Sequence, residues 1–429
     1  MPPRPASSQV RWKILALLFL ASFIAYILRT NMSIVGEAMM GELGISQVQL
    51  GVVLASFAWG YAIFQFPGGV FGDRIGGRKA LAVMLVAWGV LTLATALIPS
   101  TAAVGTTAVI AVLSVIRFGM GVVQAPLYPV TSGGTTSLWF PVSGWALPNG
   151  LTNAGLTLGS AAAGPLVAWL MTTVGWRLSF VVTAPLALLL AGVWWWYARD
   201  RPSEHAGVSQ QELDLINAGR EAPPAPVEPG AWKRLLANRE ILLLTLSYFC
   251  SNYVFYFFFN WLYIYLVQNR GFKVLEGGWY ASIPWIVGSV GAVIGGIWCD
   301  TGSRRIGPRM GTRIPAIAGL LAAAAFMYLA ARADEPRLVV ALLALCLGAQ
   351  QLTEGPFWAA AIGVSGRQAS AGCGVLNTGG NVVGGLGALM VPLIVQSVGW
   401  PAALASASVF AVVGAVIWFF IRADQAIPG

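Results

Sequence analysis

Arg29 and Arg117 stand inside long apolar runs, with no other charged side chain for many residues on either side. An ionised side chain at bilayer depth costs roughly 2.5–3.5 kcal/mol on the most lenient scale. Such a residue is kept for a partner, a wet cavity or an anionic ligand. The guanidinium is a planar fork of donors that matches a carboxylate two bonds at a time. The chemistry these positions suggest is recognition of an anion, with no bond made or broken.

Other polar residues could share that work. Gly121 and Gln124 follow Arg117 at i+4 and i+7, on one helical face. Gln124 could donate to the same anion or hold the guanidinium. Tyr26 lies one turn before Arg29 and offers a hydroxyl. Glu354 is the acid placed well inside an apolar run, beside Pro356. A carboxyl held out of water favours its neutral form, which suits a proton carrier; a fixed ion pair with an arginine and a hydrogen bond at a helix kink are equally open. Tyr253, Tyr256 and Asn260 recur at helical spacing in an aromatic-rich run, and Asn377 and Asn381 share an i, i+4 face. Each has a plain alternative: backbone bonding for Arg117, snorkelling to the interface for Arg29, packing for the tyrosines, and helix-to-helix bonding for the asparagines.

The elements that must position these residues are membrane helices. Of 429 residues, 57% are hydrophobic and 10% charged, against about 25% charged in soluble domains. The chain reads as about twelve apolar spans: 12–35, 49–71, 80–98, 104–130, 146–172, 177–198, 240–267, 278–298, 314–331, 337–364, 368–397 and 399–421. A polar stretch, 199–239, divides them; it holds Pro223, Pro224, Pro226 and Pro229 and a capping-box spacing from Ser209 to Glu212. The expected organisation is an all-α membrane protein of two six-helix bundles, 1–198 and 240–429, joined by that linker. The halves repeat: an offset of 224 carries Val174-Gly175-Trp176 onto Val398-Gly399-Trp400, and Asn153 onto Asn377. Parallel six-helix repeats with a ligand site between them describe a secondary transporter.

The net charge of +9 resides in alternate loops, a topology signal that places both termini in the cytoplasm and gives no reason to expect nucleic acid. Cys250, Cys299, Cys346 and Cys373 form no Cys-x-x-Cys pair, so buried thiols are expected. The sequence contains neither an ATP-binding Gly-x-x-x-x-Gly-Lys-[Ser/Thr] nor a Gly-x-Ser-x-Gly elbow, and its one histidine, His205, falls in the linker. No cofactor, metal or enzymatic activity is expected, and the bilayer-embedded chain is expected to work as a monomer.

The loop Gly72-Asp73-Arg74-Ile75-Gly76-Gly77-Arg78-Lys79 resembles the signature loop of the major facilitator superfamily, and Asp300 with Arg304, Arg305, Gly307 and Arg309 is a looser copy. Within that superfamily the chain is similar to the anion:cation symporters, which include sugar-acid, tartrate and phthalate permeases and vesicular glutamate and sialic acid carriers. The similarity rests on Arg117-x-x-x-Gly121-x-x-Gln124-Ala125-Pro126-x-x-Pro129, Arg29-Thr30-Asn31, Trp139-Phe140-Pro141, Phe357-Trp358 and Asn377-Thr378-Gly379-Gly380-Asn381. The resemblance implies alternating access, a carboxylate ligand held by Arg29, Arg117 and neighbours including Trp358, and a cytoplasmic latch from Asp73, Arg74, Arg78 and Asp300. Three departures stand out: Gln124 replaces a usual Glu, Leu28 a frequent Asp, and Trp145 a common Arg. Two of them remove the usual proton carriers and leave Glu354 as the candidate. The expectation is a proton-coupled carrier of small organic anions, such as sugar acids, in a bacterial inner membrane. Its rivals are a facilitator or exchanger without proton coupling, an anion sensor of similar shape, and a cation or drug exporter that uses Glu354.

Overall fold

The computed structural model describes residues 8–219 and 232–425. These form helices and no strand. The long helices are α1 (Val10–Leu43), α2 (Gln47–Ile75), α3 (Gly77–Ala96), α4 (Thr106–Gln124), α5 (Ala146–Tyr197) and α6 (Arg239–Asn260). They continue as α7 (Val274–Ile306), α8 (Pro308–Arg332), α9 (Pro336–Gln351), α10 (Glu354–Ser365), α11 (Ala369–Val398) and α12 (Trp400–Trp418). Within α5 the backbone breaks at Gly175, whose φ of 82° separates two membrane passes. Its repeat partner Gly399, at φ 94°, separates α11 from α12. Only glycine enters this region without strain, so the repeated Val-Gly-Trp is a repeated corner.

Each of the twelve expected spans corresponds to helix. Among the described residues, ten stretches qualify as spans by length and apolarity. Two expected passes run together in Pro336–Gly384, and the arm of α5 before Gly175 is rich in glycine, Asn and Thr. The fourth pass extends past the expected 130. After α4 the chain continues as a π-helix, Pro129–Thr136, and a turn, Ser137–Trp139, because Pro126 and Pro129 lack the N–H that a regular ladder needs. The seventh pass breaks at Trp261 and ends in a second π-helix, Tyr265–Asn269. The tenth is broken between α9 and α10, two residues before Pro356.

Two seams join the halves: α5 packs on α7, and α2 on α11. Both are backbone-close. A Cβ on Gly296 would lie 2.5 Å from Leu147 Cα, and one on Gly69 would lie 2.4 Å from the Ser370 carbonyl oxygen. The four cysteines are buried and unpaired.

The linker begins with a clasp. Glu212, fully buried, accepts from Ser8 Oγ at 2.5 Å and from the backbone N–H groups of Val10 and Arg11 at 3.1 Å. The expected capping box is therefore half formed. Ser209 Oγ accepts from Glu212 N, but the Glu212 carboxylate turns away to cap α1. Pro223, Pro224, Pro226 and Pro229 lie outside the described residues.

Candidate substrate site and gates

A small cavity of about 30 Å³ lies between the halves, drawing on Tyr26 of α1, Tyr61 of α2, Tyr128 after α4 and Asn153 of α5. The other half contributes Tyr248, Asn252 and Tyr256 of α6, Gln351 and Glu354 at the break of the tenth pass, Trp358 of α10, and Asn377 and Asn381 of α11. The wall is mostly aromatic hydroxyls and amides. Tyr128, Gln351 and Glu354 flank breaks in their passes, in keeping with the rule that broken helices line cavities at membrane depth.

Arg29 stands behind the cavity wall, in a cage of rings that includes the wall residues Tyr26 and Tyr61. Its guanidinium carbon lies 4.8–5.4 Å from the ring centres of Tyr26, Phe57, Tyr61 and Phe259. Nη1 donates to Tyr26 Oη at 3.3 Å, and the same side chain reaches the hydroxyls of Tyr61 and Tyr256. The expected Tyr26 partnership is present. Phe259 comes from the other half, so the cage spans both bundles. Cation–π contacts of this kind contribute about 0.5–2 kcal/mol each, the higher value away from water.

Arg117 is 4% exposed and stacks on Phe57 from 4.9 Å, so both arginines share one ring. It is absent from the cavity wall, and its Nε has no hydrogen-bond partner among the described residues. Among those residues no acid pairs with either arginine. Gln124 serves neither arginine nor cavity in this state. Its Nε2 donates to the Ala25 carbonyl at 2.9 Å, which ties α4 to α1. Helical spacing put Gln124 on the face of Arg117, and the packing of α1 against that face claims it.

Glu354, 3% exposed, touches no arginine. Oε2 accepts from Tyr248 Oη at 3.0 Å and Trp358 Nε1 at 3.1 Å; Oε1 accepts from Gln350 Nε2 at 3.3 Å. No ion pair holds it, but the bond from Gln350 of α9 spans the break beside Pro356, so the hydrogen bond at the kink is present. Convergence is partial: Glu354 and the cage of Arg29 meet at the cavity, and Arg117 stands behind Phe57.

Asn377 and Asn381 both reach the wall. Asn381 Nδ2 donates to Asn377 O at 2.7 Å and Asn377 Oδ1 at 3.1 Å, while Tyr256 Oη donates to Asn381 Oδ1 at 2.5 Å. Tyr256 and Trp358 line the cavity as expected; Tyr253 and Asn260 do not. Tyr253 stacks on Phe410 at 4.2 Å and bonds Ser406 across to α12, so spacing alone misassigned it. Asn260 ends α6 just before the Trp261 break. Sequence reasoning missed Tyr61, Tyr128, Asn153, Tyr248, Asn252 and Gln351. The repeat gave a usable signal for Asn153, since its partner Asn377 was already a candidate, and both line the cavity.

At one end the two halves are joined by two matching contacts. Asp73 accepts from the backbone N–H of Ser370 at 3.1 Å and of Ala371 at 2.8 Å. Asp300 accepts from Ala146 N at 2.8 Å and Leu147 N at 2.9 Å. Ala146 and Leu147 map onto Ser370 and Ala371 by the same offset of 224. Each carboxylate thus caps the N-terminus of a helix in the opposite half, where unpaired N–H groups and the helix dipole favour negative charge. Arg78 works within one half instead, since its N–H bonds Asp200, its Nη2 bonds the Trp195 carbonyl, and its guanidinium stacks on Trp195. Arg74 lines a cleft beside Asp73 at the same end.

Residues 18–349 match the profile of the Major Facilitator Superfamily. The chain belongs to that superfamily. It is 31% identical over 409 residues to a probable galactarate/D-glucarate transporter of Bacillus subtilis, covering 92% of this chain and 88% of that one. It is 30% identical over 399 residues to a probable sulfoacetate transporter of Cupriavidus necator, covering 91% and 89%. A D-galactonate transporter of Escherichia coli is 28% identical over 435 residues, covering 96% of each chain. The fold is that of the Escherichia coli fucose:proton symporter FucP, with a TM-score of 0.72 at 15% identity over 96% of this chain and 100% of that one. The proton:xylose symporter XylE gives 0.74 at 12% identity, covering 96% of each. This major facilitator protein is therefore an integral, multi-pass membrane protein, and relatives spanning most of its length are named as transporters of organic anions.

Proposed function

We propose that this chain is a secondary transporter of small organic anions, with sugar acids and related hydroxy acids as the favoured class, working by alternating access. One observation carries the reading: Arg29, with no acidic partner among the described residues, stands directly behind tyrosine hydroxyls that line a cavity built from both halves. A carboxylate entering the cavity meets that guanidinium as its strongest available partner. Amides and tyrosine hydroxyls around it suit a polyhydroxylated chain, and at about 30 Å³ the cavity must widen to admit one, as alternating access requires. Arg117 adds positive potential from behind Phe57, and Asp73 and Asp300, with Arg74 nearby, latch the cytoplasmic side. The functional units are the bundles 1–198 and 240–429 joined by 199–239, in a bacterial inner membrane with both termini cytoplasmic.

Glu354 is the proton carrier of this reading. It faces the cavity, and neither Leu28 nor Gln124 can carry a proton. Those same two residues favour a second reading, a facilitator or exchanger driven by the anion gradient alone. The test is accumulation of a labelled sugar acid in proteoliposomes under an imposed inward proton gradient. Glu354→Gln is expected to lose gradient-driven accumulation and keep anion exchange. If it accumulates as wild type does, Glu354 is not the carrier; if wild type ignores the gradient, the exchanger reading stands.

A further inference from the structure

Glu354 has two unequal oxygens. Oε2 meets Tyr248 Oη and Trp358 Nε1. An indole nitrogen only donates, so Oε2 is committed to accepting. Oε1 meets Gln350 alone, at 3.3 Å. A proton taken from the cavity therefore bonds to Oε1, and the new O–H points at Gln350.

Gln350 is fully buried and absent from the cavity wall, so it cannot touch a ligand. Its Nε2 donates both to Glu354 Oε1 and to Ser251 Oγ, the latter at 3.0 Å, while its Oε1 has no partner among the described residues. A primary amide presents NH₂ on one edge and oxygen on the other, and its terminal torsion is soft. A half-turn puts the oxygen where the NH₂ stood. It then accepts from the protonated Glu354 and from the Ser251 hydroxyl, which can donate as readily as it accepts. Two hydrogen bonds exist before the turn and two after it.

We infer that Ser251, Gln350 and Glu354 form a hydrogen-bond chain whose direction reverses when Glu354 takes up a proton, with the Gln350 amide as its pivot. The inference rests on Glu354 as the proton carrier. Gln350 is a positioning residue that gives both states of the carboxyl a partner, where a fixed donor such as lysine would serve one. The titratable groups facing Glu354 are Tyr248 of α6 and Tyr26 of α1. Around the rest of the cavity stand Tyr61, Tyr128 and Tyr256, with Arg29 behind Tyr26. α5 and α11 present the neutral Asn153 and Asn377. α7 and α8 also pack on α10, and neither places a residue on the cavity wall.

The test is the infrared difference spectrum between high and low pH, recorded without ligand on the full chain in lipid, with ¹³C-glutamine labelling to assign amide bands. Wild type is expected to show a carboxylic-acid C=O band rising together with a shift in one glutamine amide band. Gln350→Met should lose that amide shift and move the acid band towards higher frequency, because the O–H loses its acceptor. Ser251→Ala keeps Gln350 and should displace the same amide band at both pH values, a check that needs no change beside the carboxyl. Glu354→Gln should lose both signals. An acid band without a coupled amide shift in labelled wild type, or an unmoved acid band in Gln350→Met, overturns the chain. An acid band that survives Glu354→Gln overturns the carrier assignment instead, so the two failures are distinct.

Discussion

Replacing Asp73 by Asn should open the cytoplasmic side of the transporter. The carboxylate accepts two backbone N–H groups at the start of α11, at 3.1 and 2.8 Å. Bonds to a charged acceptor contribute about 1.5–3 kcal/mol each, and charge at a helix N-terminus adds up to about 2 kcal/mol when partly buried. Asn keeps one acceptor oxygen, turns an NH₂ against the second donor, and removes the charge. A loss of about 2 kcal/mol is a reasonable net figure, which moves the closed-to-open ratio by about 30-fold. Asp300→Asn breaks the matching contact on the other seam, so it should have a comparable effect, and the double variant should add. Double electron–electron resonance between spin labels at the exposed positions Ser203 and Arg305 reads the opening directly. A long-distance population should appear or grow in each single variant and dominate in the double. Identical distance distributions in wild type and both single variants would mean that these carboxylates do not latch the state.

Arg29→Lys should weaken about 10- to 100-fold the binding of the organic acid that wild type binds, because an ammonium cannot reproduce the fork. Arg117→Lys, stacked on Phe57 rather than on a cavity-lining ring, should change that Kd only a few-fold and lower the melting temperature; calorimetry on both proteins would expose the reverse order. Asn153→Leu and Asn377→Leu should each cost about tenfold in affinity for a polyhydroxy acid and little for an acid without hydroxyls, since only the former loses a hydrogen bond. The linker should loosen in acid. Burial, and then the nearby Arg199, hold His205 below the usual histidine range, and its Nδ1 accepts from Gly207 N at 3.0 Å. A group less basic folded than unfolded contributes stability above the unfolded value of about 6.5 and loses it as pH falls below that. Protection factors for hydrogen exchange in Gln210–Asn217, corrected for the intrinsic exchange rate at each pH, should therefore fall between pH 7.5 and 5.5, and His205→Gln should abolish the change.

Much of the fold was legible because hydropathy and the repeat are both long-range signals. Twelve apolar runs and the offset of 224 sufficed to place the helices, the corners at Gly175 and Gly399, and the pairing of Asn153 with Asn377. Broken helices were harder to read. Pro126 and Pro129 announce an interruption, but nothing in the sequence says that the chain continues as a π-helix to Thr136. The site was legible in its charges and less so in its wall. Arg29 and Glu354 advertise themselves by the cost of burying them. Tyr61, Tyr128 and Tyr248 are ordinary membrane aromatics until neighbouring helices turn them inward. Tyr253 and Tyr256 differ by three residues in one aromatic run, yet one faces α12 and the other the cavity, because the angle at which α6 packs is set by α11 and α12. Gln124 shows the same limit, since its face was readable and its partner, the Ala25 carbonyl, was not.

The central claim is that an organic anion crosses through the cavity beside Arg29. Counterflow tests it most directly: proteoliposomes loaded with an excess of one unlabelled acid are diluted into the same acid carrying a label, with D-galactonate, galactarate and sulfoacetate as probes. Transient accumulation of at least one acid is expected in wild type, lost in Arg29→Ala, and uninhibited by the methyl ester of that acid. No counterflow with any carboxylate probe, or an ester that competes as well as its parent acid, would contradict the account.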